Sequence, residues 1–142
     1  MNIIFVCHGS ICRSPAAEMI FKNLNNKHRV SSRAVSHEEI GNDIYPPMKR
    51  ELDRCGIPYT RHYATYITDE DFYNADYIFY MDNSNHYLLT RRFGKNKKIL
   101  PIYYFSSGID EIEDPWYTDN YEKVVKQITQ CVKDIIANLD KI

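Results

Sequence analysis

The sequence predicts an α/β domain, a three-layer sandwich with a parallel four-stranded sheet between helices on both faces. Three observations predict it. Short, β-branched apolar runs without alternation suit strands buried on both sides. Stretches with apolar residues at helical spacing lie between those runs, so strand and helix alternate along the chain. The 142 residues suffice for one core, whereas two domains would each lack the area a core needs, so one domain over residues 1–142 is expected.

The elements follow in order. Asn2 to Val6 reads as a central strand ending at Cys7. After the segment His8 to Arg13, Ser14 is the expected N-cap and Pro15 the first residue of a helix whose stripe is Ala17, Ile20, Phe21 and Leu24. Val30 to Val35 is a second strand, and Pro46-Pro47 opens a helix through Met48 and Leu52 that Gly56 ends. Tyr77 to Met81 is a third strand, Asn83 to Phe93 a helix closed by Gly94, and Lys98 to Ile102 a fourth strand. A polar, acidic loop follows, and Asp119 with Glu122 has the spacing of a capping box for a final helix carrying Val124, Val125, Ile128, Val132, Ile135 and Leu139. In such a sheet, ligands bind at the carboxyl ends of the strands, where Cys7 sits.

Composition narrows the function. Apolar residues at 44% and charged residues at 26% exclude disorder and fibrous repeats. Eighteen basic against 19 acidic residues give a net charge of -1, so no nucleic-acid partner is expected and an anion must be gripped locally. The early apolar run Ile3 to Val6 is too short for a membrane span or a signal-peptide core, so a cytoplasmic location with no membrane partner is expected. With no secretion signal, Cys7, Cys12, Cys55 and Cys131 read as reduced thiols, and the isolated Cys55 and Cys131 as helix core. The 12 tyrosines are assigned to packing.

The chemistry lies in Val6-Cys7-His8-Gly9-Ser10-Ile11-Cys12-Arg13-Ser14-Pro15. A loop between a strand and a helix N-terminus turns successive N–H groups inward and adds the positive end of the helix dipole, which makes an anion cradle. Gly9 is expected to supply the freedom for the curl, and Arg13 to grip two oxygens of a tetrahedral oxyanion. The same field favours a thiolate at Cys7, so attack on phosphorus through a cysteinyl-phosphate is expected, with Ser14 donating to the departing sulfur. One glycine and no Gly-Lys-Ser/Thr exclude a nucleotide P-loop. Phosphoryl transfer from an alcohol or phenol also needs an acid, and Asp114, held extended before Pro115, is the candidate. Trp116 and Tyr117 could wall a flat leaving group. His8, adjacent to Cys7, is expected to point away from it and is not assigned as a base.

With Ile67-Thr68-x-x-Asp71-Phe72, Asp76-Tyr77-Ile78, Met81-Asp82-x-Ser84-Asn85 and Asp114-Pro115-x-Tyr117, the cysteine loop resembles the low-molecular-weight protein tyrosine phosphatases over essentially the whole chain. That resemblance implies strand order 2-1-3-4 and hydrolysis of tyrosine-phosphorylated proteins by a monomer, with inorganic phosphate as product and no metal or organic cofactor. It implies that Cys7 is the nucleophile, Arg13 the clamp, Ser14 the thiolate's partner, and Asp114 first acid and then base. Residues Cys7, His8, Gly9, Ser10, Ile11, Cys12 and Arg13 would bind phosphate. Cys12 resembles the second loop cysteine that can close a reversible disulfide with Cys7.

Three departures stand out. Ser10 replaces the usual asparagine that braces the loop, so the cradle is expected to be looser or braced through His62. Glu38 falls near a rim position that is often aromatic and would repel acidic phosphopeptides. Trp116 replaces a tyrosine. Similar sequences with threonine before the second loop cysteine resemble protein-arginine phosphatases, but here that residue is Ile11. An arsenate reductase of this fold needs a further cysteine pair, and residues 60 to 110 contain no cysteine. A metal module built on Cys7 and Cys12 with His8 or one of the other four histidines, or a non-catalytic phosphate-binding module, remains the alternative of another class.

Overall fold

The computed structural model describes residues 1–141. Strand β1 is Asn2–Cys7, followed by α1 (Arg13–Leu24), β2 (Arg29–Ala34), α2 (Pro46–Arg54), α3 (Asp69–Asn74) and β3 (Tyr77–Tyr80). Then come α4 (Asn83–Phe93), β4 (Ile99–Pro101), α5 (Pro115–Thr118), α6 (Tyr121–Asn138) and a 3-10 turn at Leu139–Lys141. The sheet runs β2-β1-β3-β4, every pairing parallel, as the resemblance implies. The strand readings hold with ends moved by a residue or so.

Alternation along β1 sorts the two cores. Ile3, Phe5 and Cys7 point into the larger one, with Ala17, Ile20 and Phe21 of α1 and Val124, Ile128 and Val132 of α6. Ile4 and Val6 point into the smaller one, with Ile78 and Tyr80 of β3 and Leu89 of α4. Phe5 stacks on Phe79 at 5.8 Å and meets Phe21 at 6.2 Å, and truncating such a fully buried ring costs about 3–5 kcal/mol. This packing fixes where β1 ends, and so fixes Cys7 at the carboxyl edge of the sheet beneath the loop that follows.

Four readings are corrected. Helix α1 begins at Arg13 with Cys12 at the N-cap, so Ser14 lies inside the first turn and does not cap it. Pro15 still fits, because first-turn N–H groups have no helical partner to lose. Asp119 is not the cap of α6: it adopts φ 61° as the residue that ends α5, and Asn120 precedes α6 without a side-chain cap. Cys55 is exposed just past the end of α2, while Cys131 is buried as expected. The short α3 was not expected; Thr68 and Asp71 close a reciprocal capping box at its start.

Candidate active site

The loop from His8 to Cys12 joins β1 to α1 and lines an open cleft together with Cys7, Arg13, Glu38, Glu39, Asp114, Trp116 and Tyr117. Cys7, the last residue of β1, is 3% exposed. Its sulfur accepts the Ser14 main-chain N–H at 3.4 Å and lies 3.2 Å from the Ser14 hydroxyl. One free N–H of a helix N-terminus is thus aimed at the sulfur.

The curl is made differently from what the sequence suggests. The left-handed residue is Ser10, at φ 57°, and not Gly9. At Gly9 a Cβ would lie 3.1 Å from Cγ of Glu39, a tight contact that the Glu39 side chain would have to yield to. A left-handed residue other than glycine costs about 1–2 kcal/mol, and the bonds around Ser10 offset it. Its hydroxyl bonds the Ser14 hydroxyl at 2.9 Å, and its carbonyl accepts from His62 Nε2 at 2.7 Å. Burial lowers the His62 pKa below its ordinary value, against the pull of the Ser10 carbonyl, so the ring is neutral at pH 7 and carries one N–H. A carbonyl can only accept, which assigns that proton to Nε2. His62 thus holds the Ser10 carbonyl from outside the loop.

Arg13 is 2% exposed and enters the cleft from the first turn of α1. Nη1 donates to Asp82 at 2.7 Å and to the Ile112 carbonyl at 2.8 Å, while Nη2 lies 3.5 Å from Oδ2 of Asp114. Burial works against the charge, but the Cys7 sulfur, Asp82 and Asp114 more than offset it and raise the pKa above the usual arginine value. Nη1 is committed to this scaffold, which leaves Nε and Nη2 for an anion. Asp82 is the residue that sequence reasoning missed. Its Oδ1 caps α4 through Asn85 N–H at 2.9 Å while Oδ2 holds Arg13. The capping pattern Asp82-x-x-Asn85 was visible, but its partner lies 69 residues away.

Asp114 has the extended backbone expected before a proline, and Oδ1 accepts the Trp116 N–H at 3.1 Å, which leaves Oδ2 turned to Arg13. Pro115 to Thr118 then form the single-turn helix α5. Trp116 packs on Tyr45 at 4.7 Å, and Tyr117 is 82% exposed, so the wall has one fixed ring and one open one. His8 follows the end of β1, where strand alternation no longer applies. It turns to the cleft mouth, with Nε2 3.1 Å from Glu38, and does not point away. Glu39 stands beside it, held by Asn42 at 2.6 Å, so the mouth carries two carboxylates. Cys7 and Cys12 are both free thiols. Burial, with further pushes from the Cys7 sulfur and Asp114, raises the Cys12 pKa well above the thiol range and keeps it protonated. Ile11 is buried against the loop floor.

Comparison with known proteins gives the same assignment. The family model described as low molecular weight phosphotyrosine protein phosphatase matches residues 2–142. The human low molecular weight phosphotyrosine protein phosphatase is 38% identical over 148 residues, covering 93% of this chain and 91% of that protein. The crystal structure of YfkJ from Bacillus subtilis superposes with a TM-score of 0.92 at 30% identity, over 99% of this chain and 95% of that one. The structure of an arginine phosphatase, YwlE from Geobacillus stearothermophilus, has a TM-score of 0.87 at 25% identity, over 99% of this chain and 93% of that one. A cleft with a helix-directed thiol, a buried arginine and a neighbouring carboxylate accords with these matches, and the chain belongs to the low molecular weight phosphotyrosine protein phosphatases, a family of cysteine-dependent hydrolases.

Proposed function

We propose that this phosphatase hydrolyses phosphotyrosine in proteins through a phosphocysteine on Cys7. The Cys7 thiolate attacks phosphorus, the P–O bond to the phenol breaks, and Asp114 gives its proton to the leaving oxygen. Asp114, now a carboxylate, takes a proton from water as that water attacks phosphorus; the S–P bond breaks and inorganic phosphate leaves. Nε and Nη2 of Arg13 and the N–H groups of the loop hold the equatorial oxygens, and the Ser14 hydroxyl donates to the sulfur as it departs. The observation that carries this reading is the meeting of Cys7, Arg13 and Asp114 in one cleft, with Asp114 3.5 Å from Arg13.

Trp116 and Tyr117 along the cleft support an aryl ester over phosphoarginine, as does the apolar Ile11 on the loop. Glu38 and Glu39 at the mouth favour phosphopeptides with basic flanks over acidic ones. The proposed setting is a monomer in the cytoplasm, acting without metal or organic cofactor; among the described residues no helix is long and apolar enough to cross a membrane. Side-by-side turnover of phosphotyrosine, phosphoarginine and arsenate by the purified protein tests the reading. Phosphotyrosine should be the best substrate, and faster phosphoarginine turnover would overturn it.

A further inference from the structure

The Ser10 hydroxyl bonds Ser14 within the anion loop, while the Ser10 carbonyl is held from outside by His62, whose own backbone N–H donates to Asp43. Residues 41–43, between β2 and α2, lie against residues 61–64. Gly41 N–H donates to the Ala64 carbonyl at 2.8 Å, and Ala64 N–H donates to the Asn42 carbonyl at 2.9 Å. Within this staple Asp43 is a hub. Its Oδ1 accepts the His62 N–H at 2.9 Å and the Ile44 N–H at 2.7 Å and lies 3.4 Å from Arg61, while Oδ2 pairs with Lys49 at 2.5 Å. Arg61 donates to the His62 carbonyl at 2.6 Å, so both polar groups of the His62 backbone are held. The bonds to Lys49, His62 and Ile44 outweigh burial and keep the Asp43 carboxyl well below the usual carboxylate range.

The consequence follows from peptide geometry. In a trans peptide the C=O and the N–H of the next residue point in opposite directions. No peptide in the described chain is cis. Anchoring the Ser10 carbonyl outward on His62 therefore turns the Ile11 N–H inward, to the side where an anion is bound. The Ile11 carbonyl is tied separately, by the Tyr45 N–H at 2.8 Å, from the same segment that carries Asp43.

We propose that Asp43 is a positioning residue for the anion loop: it fixes His62, whose ring holds the Ser10 carbonyl outward and so presents the Ile11 N–H to phosphate. This rests on the reading of residues 7–13 as the phosphate seat. Its effect is remote, since Asp43 does not line the cleft. It also accounts for a serine serving where the resemblance implies a longer bracing side chain.

The test uses the full chain with Asp43→Ala, Asp43→Asn and, as a control on the same region, Glu51→Ala, whose carboxylate pairs with Arg54. The readouts are inhibition by inorganic phosphate, kcat and KM for p-nitrophenyl phosphate, and the thermal midpoint. Losing one well-aimed N–H to a dianion should weaken phosphate inhibition about tenfold in Asp43→Ala, with a parallel fall in kcat/KM. The amide oxygen of asparagine can still accept the His62 N–H, so Asp43→Asn should stay within about twofold of wild type. Glu51→Ala should leave phosphate affinity unchanged whatever happens to its midpoint. Wild-type affinity in Asp43→Ala, equal losses in the two Asp43 variants, or an equal loss in Glu51→Ala would each overturn the proposal. If Asp43→Ala does not fold, Arg61→Met removes the donor on the His62 carbonyl and carries the same expectation and the same refutation. A wild-type chain that neither binds phosphate nor hydrolyses the ester removes the parent reading, whereas the outcomes above remove this proposal alone.

Discussion

Replacing Arg13 by lysine keeps the charge and removes the fork. Arginine here spans two tasks at once: Nη1 is fixed by Asp82 at 2.7 Å and the Ile112 carbonyl at 2.8 Å, and the remaining nitrogens are left for the transferring phosphoryl group. A single ammonium cannot do both. If it stays on the scaffold, two charge-assisted bonds to the transition state are lost, and at the low end of ~1.5 kcal/mol each the barrier rises by about 3 kcal/mol. At about 1.4 kcal/mol per tenfold, kcat/KM should fall by roughly 150-fold. The assay is p-nitrophenyl phosphate kinetics on Arg13→Lys beside inorganic phosphate inhibition, with thermal unfolding to establish that the variant is folded. A folded Arg13→Lys that loses less than about fivefold would refute the bidentate grip, because a point charge would then suffice.

Further outcomes follow from the same geometry. Cys7→Ser should lose turnover by several orders of magnitude yet still bind inorganic phosphate, read by calorimetry; measurable turnover in a cysteine-free preparation would contradict it. Asp114→Asn should slow esters of poor leaving groups far more than activated ones, and equal losses across a phenol series would remove the acid role. Glu38→Gln should narrow the discrimination against acidic-flanked phosphopeptides by about two- to fivefold, as expected for one exposed rim charge, and an unchanged ratio would count against the acidic mouth. Asp71, which caps α3 and pairs with Arg33, has its pKa lowered: burial opposes this, but the Thr68 N–H and Arg33 outweigh it. A depressed carboxylate contributes stability above its unfolded pKa of about 3.9, lost as pH falls through the lower folded value. Asp71→Asn should therefore be destabilised at pH 7, with the gap to wild type closing below about pH 4; a gap independent of pH would argue that the charge is immaterial.

Much of the molecule was legible because its signals are local and apolar. Ile3 to Val6 and the stripe of α6 announce themselves by burial alone, and their alternation fixes the layers. That Cys7, Arg13 and Asp114 share one cleft was legible because few residue types suit the proposed chemistry, and the turn from strand to helix brings the first two together. What escaped was set by contacts across the chain. Helix α3 has no buried residue, so no stripe marks it, and the Thr68–Asp71 box is the one local signal that could have found it. Ser14 looked like a cap because serine usually is one, but its hydroxyl is taken by Ser10 and its N–H is directed at the Cys7 sulfur. Asp82 and Asp43 carry no local mark of their partners, because only the fold brings Arg13 and His62 beside them. Part of what holds Ser10 left-handed lies outside its own neighbourhood, the His62 bond to its carbonyl, beside the local one to Ser14.

Rapid acid quench during turnover, followed by mass spectrometry of the peptide that carries Cys7, addresses the covalent step itself. Phosphate on the Cys7 sulfur is the predicted result, accumulating further in Asp114→Ala with an activated ester whose departure needs no acid. Full turnover with the label absent from Cys7, or present on any other side chain, would contradict the account.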